Sequence, residues 1–211
     1  MGAIPLHSAN NTAHPCILDF HHIMATSTPA WTNGDLYTWV GPTTGGNWSD
    51  VSNWSYDGAP ATHVPDTQTN QGTVTIPSGV TITVSSATST LSGVNIKVAG
   101  TLDIASGTSA LAVNNLEVAS GGTANIQRPL TANNVLQVDN GGTATFSNVS
   151  QDWSGYPGLK PSIATGGTLN FDNSNITLGS VSGSGIAGNL NISNGSTVKT
   201  ASNSTTITGP I

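Results

Sequence analysis

Hydrolysis of a polysaccharide needs two carboxyl groups roughly 5 to 9 Å apart, one to give a proton and one to attack or to activate water. In the glycine-rich part of this chain the candidates are Asp103, Glu117, Asp139 and Asp172. The cations beside them are Lys97, Arg128, Lys160 and Lys199. A lyase would combine one of these carboxylates with a cation or a bound metal. The spacing favours neither reaction. Asp103, Glu117 and Asp139 each adjoin an apolar strand residue that would point inward, so a period of two turns them to solvent. They fall on separate segments and form no dense cluster. The expectation is a chain without a catalytic site, with a polysaccharide-degrading enzyme as the remote alternative.

Metal chemistry would have to come from His14, His21, His22 and His63, with Asp19 and Cys16. None of these shows a ligand spacing such as His-Glu-x-x-His. His21 and His22 are adjacent, so in a strand they point to opposite sides. No metal and no cofactor is expected. Asp50 and Asp57 read as turn caps rather than calcium ligands. A single cysteine allows no intrachain disulfide.

The aromatic residues carry the remaining chemistry. Trp31, Trp39, Trp48 and Trp54 lie within residues 31–70, with Tyr37 and Tyr56, and Trp153 and Tyr156 stand apart. Trp48 and Trp54 are six apart with polar spacers. Exposed rings of this kind stack on sugars and would make a carbohydrate-binding module from Trp48, Trp54, Trp153 and Tyr156. Buried rings would plug the end of a core. The plug is the expectation, because little other apolar mass lies nearby.

Charge narrows the partners. The 211 residues include 4 Lys+Arg against 10 Asp+Glu, a formal net charge of -6. Nucleic-acid binding needs a basic surface to neutralise phosphates, and so does attraction to anionic lipid. Both are excluded. Charged residues make up 7%, against roughly 25% in an ordinary domain, so hydroxyls and amides must carry solubility. Gly, Ser, Thr and Asn together fill 101 positions. No stretch reaches the 18 apolar residues of a membrane helix. Met1 to Asn11 shows neither the basic nor the apolar region of a standard signal peptide.

The elements that must position these residues are short strands. From residue 72 onward, runs such as Val80-Thr81-Ile82-Thr83-Val84 and Leu116-Glu117-Val118 alternate with period two, which is the strand signature. A glycine followed by a small polar residue and a new strand recurs at Gly100, Gly122, Gly142, Gly167 and Gly188, in steps of 22, 20, 25 and 21 residues. Such a period marks stacked repeats. Coiled so that each turn rests on the last, these strands form parallel sheets around one core. The glycines take the corners, where φ can be positive and neighbouring turns come close. About 21 residues per turn over residues 72–211 gives roughly six or seven turns. The 25-residue step places an inserted loop at 151–161. A β-sandwich or jelly roll is the competing fold, with longer and less regular strands. Residues 1–35 read as a loose extension and 36–71 as an aromatic cap. The segment Thr208-Gly209-Pro210-Ile211 carries no cap signal, which predicts end-to-end self-association or a continuation of the chain.

The order Tyr37-Thr38-Trp39, Gly45-Gly46-Asn47-Trp48-Ser49-Asp50, Asn53-Trp54, Thr73-Val74-Thr75-Ile76 and then Gly-Thr-Leu repeats resembles bacterial autotransporter and adhesin-like passenger regions. The resemblance covers residues 36–208 and lies at the level of architecture. It implies a single-stranded right-handed parallel β-helix, secreted or displayed at the cell surface, with a structural or adhesive role. A host-surface or biofilm polysaccharide or protein would be the partner, without direct membrane insertion. The chain departs from that class in showing no export signal, no Arg-Gly-Asp and no C-terminal membrane barrel.

Overall fold

Val, Ile and Thr in runs of three to five residues cannot bury an apolar face alone, so each run must rest on its neighbours. In a computed structural model of the chain they do so as a parallel β-solenoid. The structure describes residues 36–66, 72–86, 90–107, 109–154, 160–178, 187–200 and 206–208. The readings of residues 1–35, including Trp31, Cys16 and three of the four histidines proposed for a metal, lie outside the described residues, as does Tyr156.

Three sheets run along the stack. The first contains Thr73–Ile76, Thr90–Val98, Leu111–Val118, Leu130–Val138 and Lys160–Ile163, all parallel. The second contains Gly45–Asn47, Thr81–Val84, Thr101–Ile104, Thr123–Ile126, Thr143–Ser147, Thr168–Asp172 and Asn189–Ser193, also parallel. The third begins later in the chain, with Ser150–Asp152, Asn175–Leu178 and Thr197–Thr200. Successive turns are in register, so equivalent residues form columns. Val74, Ile96, Leu116 and Leu136 make one inward column, and Ile82, Leu102, Ala124, Ala144 and Leu169 another. The next inward column holds Ile126, Phe146 and Phe171, so Ala124 shares its strand with Ile126 and Ala144 with Phe146, larger side chains that help to fill the interior.

The solenoid has about five turns rather than six or seven. The period is not the cause, since the second-sheet strands still begin every 20–25 residues, at Thr81, Thr101, Thr123, Thr143, Thr168 and Asn189. Five of these turns carry a first-sheet strand as well. Within them the first-sheet strands grow to eight or nine residues over Thr90–Val98, Leu111–Val118 and Leu130–Val138, and the third sheet takes a further strand from each later turn. The strand Asn189–Ser193 has no first-sheet companion among the described residues.

The corners follow from the residue types. In the Gly121-Gly122 turn the first glycine has φ +77°, a region that costs an L-residue about 1–2 kcal/mol. The second glycine has a different duty. A Cβ on Gly122 would stand 2.0 Å from the Val98 carbonyl oxygen of the turn below. The same crowding, against other carbonyls, occurs at Gly100, Gly142, Gly167 and Gly188. At these five positions the reason for glycine is therefore close approach, while positive φ belongs to the residue before it at Gly121, Gly141 and Gly166. The corner between the second and third sheets uses Asn148, Asn173 and Asn194, each left-handed at φ 59°, 45° and 50°. Asn tolerates this region better than other side chains do. The Asn173 amide donates to Asn148 Oδ1 at 2.7 Å, tying one corner to the next.

Several local expectations change. The run Gly41-Pro42-Thr43-Thr44-Gly45-Gly46 reads by residue type as a turn, but its last two glycines belong to the second-sheet strand Gly45–Asn47. The range 151–161 is no simple loop: Gln151 and Asp152 belong to a strand, Trp153 is buried, and another strand starts at Lys160. The far end also turns back. Thr206–Thr208 pairs antiparallel with Thr197–Thr200, interrupting the parallel repetition.

The two glycine duties are separable by mutation. Gly122→Ala should cost about 3 kcal/mol or prevent folding, because overpacking at a backbone contact cannot relax by rotamer change. Gly121→Ala, whose Cβ meets nothing within 4 Å, should cost only about 1–2 kcal/mol. Urea denaturation of both variants measures the difference, and equal losses would contradict it.

Candidate functional site

The aromatic region folds against the first turn. Leu36–Trp39 pairs in parallel with Thr73–Ile76 on one side and antiparallel with Trp54–Tyr56 on the other, and Ala59–Pro60 extends the sheet. Trp39 therefore faces Trp54 in register, with their rings edge-to-face at 5.2 Å. Trp48 meets Trp54 at 4.9 Å in the same manner. Such contacts add about 0.5–1.5 kcal/mol beyond burial. Trp48 and Trp54 are 0% and 1% exposed. Each indole N–H is satisfied, Trp48 donating to the Pro65 carbonyl at 2.9 Å and Trp54 to the Trp48 carbonyl at 2.8 Å. Neither ring presents a face for a sugar.

Trp153 is also fully buried, for a different reason. On the third face the backbone ladder does not pass from Leu130–Val138 to Ser150–Asp152. Two side chains bridge the gap. Leu130 N–H donates to Gln151 Oε1 at 2.7 Å, and the Trp153 indole donates to the Leu130 carbonyl at 2.9 Å. One residue thus has both of its backbone groups satisfied by side chains from the next turn, as a buried polar group requires. The Trp153 ring packs edge-to-face on Phe146 at 5.5 Å. Of the four residues proposed to stack on sugars, three are interior and the fourth, Tyr156, lies outside the described residues.

The carboxylates are separated along the stack, and each is already engaged. Asn125 donates to Asp103 at 2.7 Å, across one step of the second sheet. Gln137 donates to Asp139 at 2.7 Å, and Asn194 donates to Asp172. Glu117, expected to face solvent, is only 3% exposed and pairs with Lys97 of the neighbouring turn at 2.7 Å. Its register neighbour meets it directly, which period-two reasoning along one strand does not reveal. Asp50 accepts from the Ser52 hydroxyl and backbone N–H, which lowers its pKa. Asp152 is lowered in the same way by Ser154. Both pairs sit at turns, so the ionised forms support the fold above the unfolded carboxylate range. That support is lost as pH falls through the lowered folded values.

Several structural residues gave little warning in the sequence. Arg128, the only arginine, is 1% exposed. It donates from Nη1 to the Ser86 carbonyl at 3.2 Å and from Nη2 to that of Ser85 at 3.3 Å, 42 and 43 residues away. Burial lowers its pKa. Its isolation in a chain with four basic residues was the available signal. Ser174 and Ser196, 22 residues apart, are buried at the third corner, where Ser174 N–H donates to Ser196 Oγ at 2.9 Å. Asn95 accepts from Asn114 at 2.9 Å and Asn115 at 2.5 Å where the first-sheet register shifts. His63 stands 3.1 Å from the Tyr37 hydroxyl and 3.9 Å from Asp66. Among the described residues, no three His, Cys, Asp or Glu side chains gather closely enough to hold a metal.

No family model, curated protein or solved structure matches the chain.

The bridging role of Trp153 predicts a specific loss. Trp153→Phe keeps most of the ring but leaves the Leu130 carbonyl unpaired, and should cost about 1–3 kcal/mol. Trp48→Ala removes a whole buried ring and should cost about 3–5 kcal/mol. Thermal or urea unfolding followed by circular dichroism checks both. A Trp48→Ala variant as stable as the parent would remove the ring from the core.

Proposed function

We propose that this chain is a non-catalytic structural and adhesive module, displayed on a surface or secreted, whose partner is a polysaccharide or protein of a host surface or biofilm. The observation that carries this reading is the use made of the polar groups. Asp103, Glu117 and Asp172 tie one turn to the next, and Asp139 is held by Gln137 of its own turn. They stand on different turns and in different columns, whereas glycoside hydrolysis uses two carboxyl groups facing one bond. The buried tryptophans support the same reading, since their rings complete the interior instead of forming a platform. What remains at the surface is a long face of hydroxyl and amide side chains on a regular backbone, suited to display and contact. Stacked ends would allow such modules to associate end to end.

Retention and turnover separate the readings. The purified chain, fixed to beads, should retain a polysaccharide or a protein-coated surface without producing new reducing ends or unsaturated sugars. Appearance of such ends, in proportion to protein and time, would make the chain an enzyme and overturn the proposal.

A further inference from the structure

We infer that the outer face of the second sheet carries a groove that binds an uncharged, extended polysaccharide lying parallel to the solenoid axis. The inference rests on the adhesive reading and gives it a site and a ligand class. The groove has a volume of about 390 Å³ and is lined by Thr83, Asp103, Ala105, Asn125, Gln127 and Ser147, with Ile104 beneath. Its walls are two columns. Thr83, Asp103 and Asn125 are register partners on successive turns. Ala105 and Gln127 continue the stacking just beyond their strands, where Ala105 N–H donates to the Val84 carbonyl at 3.0 Å and Gln127 N–H to that of Ile104 at 3.0 Å. Ser147 ends the strand of the fourth turn. Gln127 is the one long side chain of its column, and the small Ala105 and Ser147 on either side of it leave the depression.

The lining selects the ligand. It offers hydroxyls, amides and one carboxylate, the donors and acceptors that sugar hydroxyls require. The Asn125 amide occupies one oxygen of Asp103 and fixes the orientation of the carboxylate, leaving the second oxygen as an acceptor. No aromatic ring lines the groove, so recognition is by hydrogen bonds and shape. Asp103 is its only charged residue, and the chain carries a net charge of -6, which disfavours uronates and sulfated glycans. The walls are side chains rather than an open strand edge, so an added peptide strand finds no ladder to join. Four turns spaced about 4.8 Å apart give a groove of about 14 Å. That step is close to the length of one pyranose in an extended β-linked chain, so successive sugars would meet successive turns.

The test is affinity electrophoresis of the whole chain through gels containing a neutral β-linked glucan or mannan, or a polyuronate. Three variants accompany it. Ala105→Arg fills the groove, Gln127→Ala removes an exposed wall side chain, and Thr75→Arg places the same bulk on the outer face of the first sheet. Circular dichroism confirms folding. The expected result is retardation by a neutral glycan, weakened at least tenfold by Ala105→Arg, clearly reduced by Gln127→Ala and unchanged by Thr75→Arg. Should Ala105→Arg not fold, Gln127→Ala decides. Absence of neutral-glycan retardation, equal binding by the folded groove variants, or stronger binding to the polyuronate would overturn the inference. Retention of a protein-coated surface by a chain that binds no glycan would leave the adhesive reading standing and remove the groove alone.

Discussion

The parallel hydrogen-bond ladder between successive turns fixes everything else in this molecule. It holds neighbouring strands about 4.8 Å apart, and each turn must close a full circuit without disturbing that spacing. A corner is therefore the most constrained place in the repeat, because the chain must change direction while its backbone lies against the turn below. At Gly122 and its equivalents no side chain fits between the two backbones. Elsewhere the same demand is met by left-handed asparagines and by serines that hydrogen-bond the adjoining turn. The low charge of the chain follows from this arrangement. Like charges stacked in register would repel along the whole column, whereas Asn, Thr and Ser can bond to their own kind.

Polar side chains therefore act as ties as much as a solvated coat. Along the outer face of the second sheet, Asn125 reaches Asp103, Asn170 reaches Thr145, and Asn191 reaches Asn170. Each bond is modest, about 0.5–1.5 kcal/mol net, but repetition along the axis reinforces register at every step. Where the backbone ladder fails, between Leu130 and the third sheet, Gln151 and Trp153 supply the missing partners. Arg128 does comparable work at another corner, reaching back to Ser85 and Ser86. The aromatic residues serve the same end. Edge-to-face contacts among Trp39, Trp48 and Trp54 fill the first turn, beyond which antiparallel strands replace the parallel repeat. The groove on the second sheet results from this architecture, since small residues in an outward column leave a depression bounded by hydrogen-bonding neighbours.

Much of this was legible in the residues themselves. Period-two runs with Val and Ile determined the strands and their inward faces, and the Gly-Gly-Thr recurrences determined a stacked, parallel repeat. Both are local properties, governed by side-chain alternation and by backbone crowding at corners. Whether Trp48, Trp54 and Trp153 face sugar or core, that Glu117 is buried against Lys97, and that Gln151 pairs with Leu130 were decided only by the tertiary structure. Those outcomes depend on which residue the neighbouring turn places opposite, and variable corners shift that pairing by several residues from one turn to the next. The number of turns was settled at the same level, because Asn189–Ser193 has no first-sheet companion among the described residues and Thr206–Thr208 folds back antiparallel instead of opening another turn.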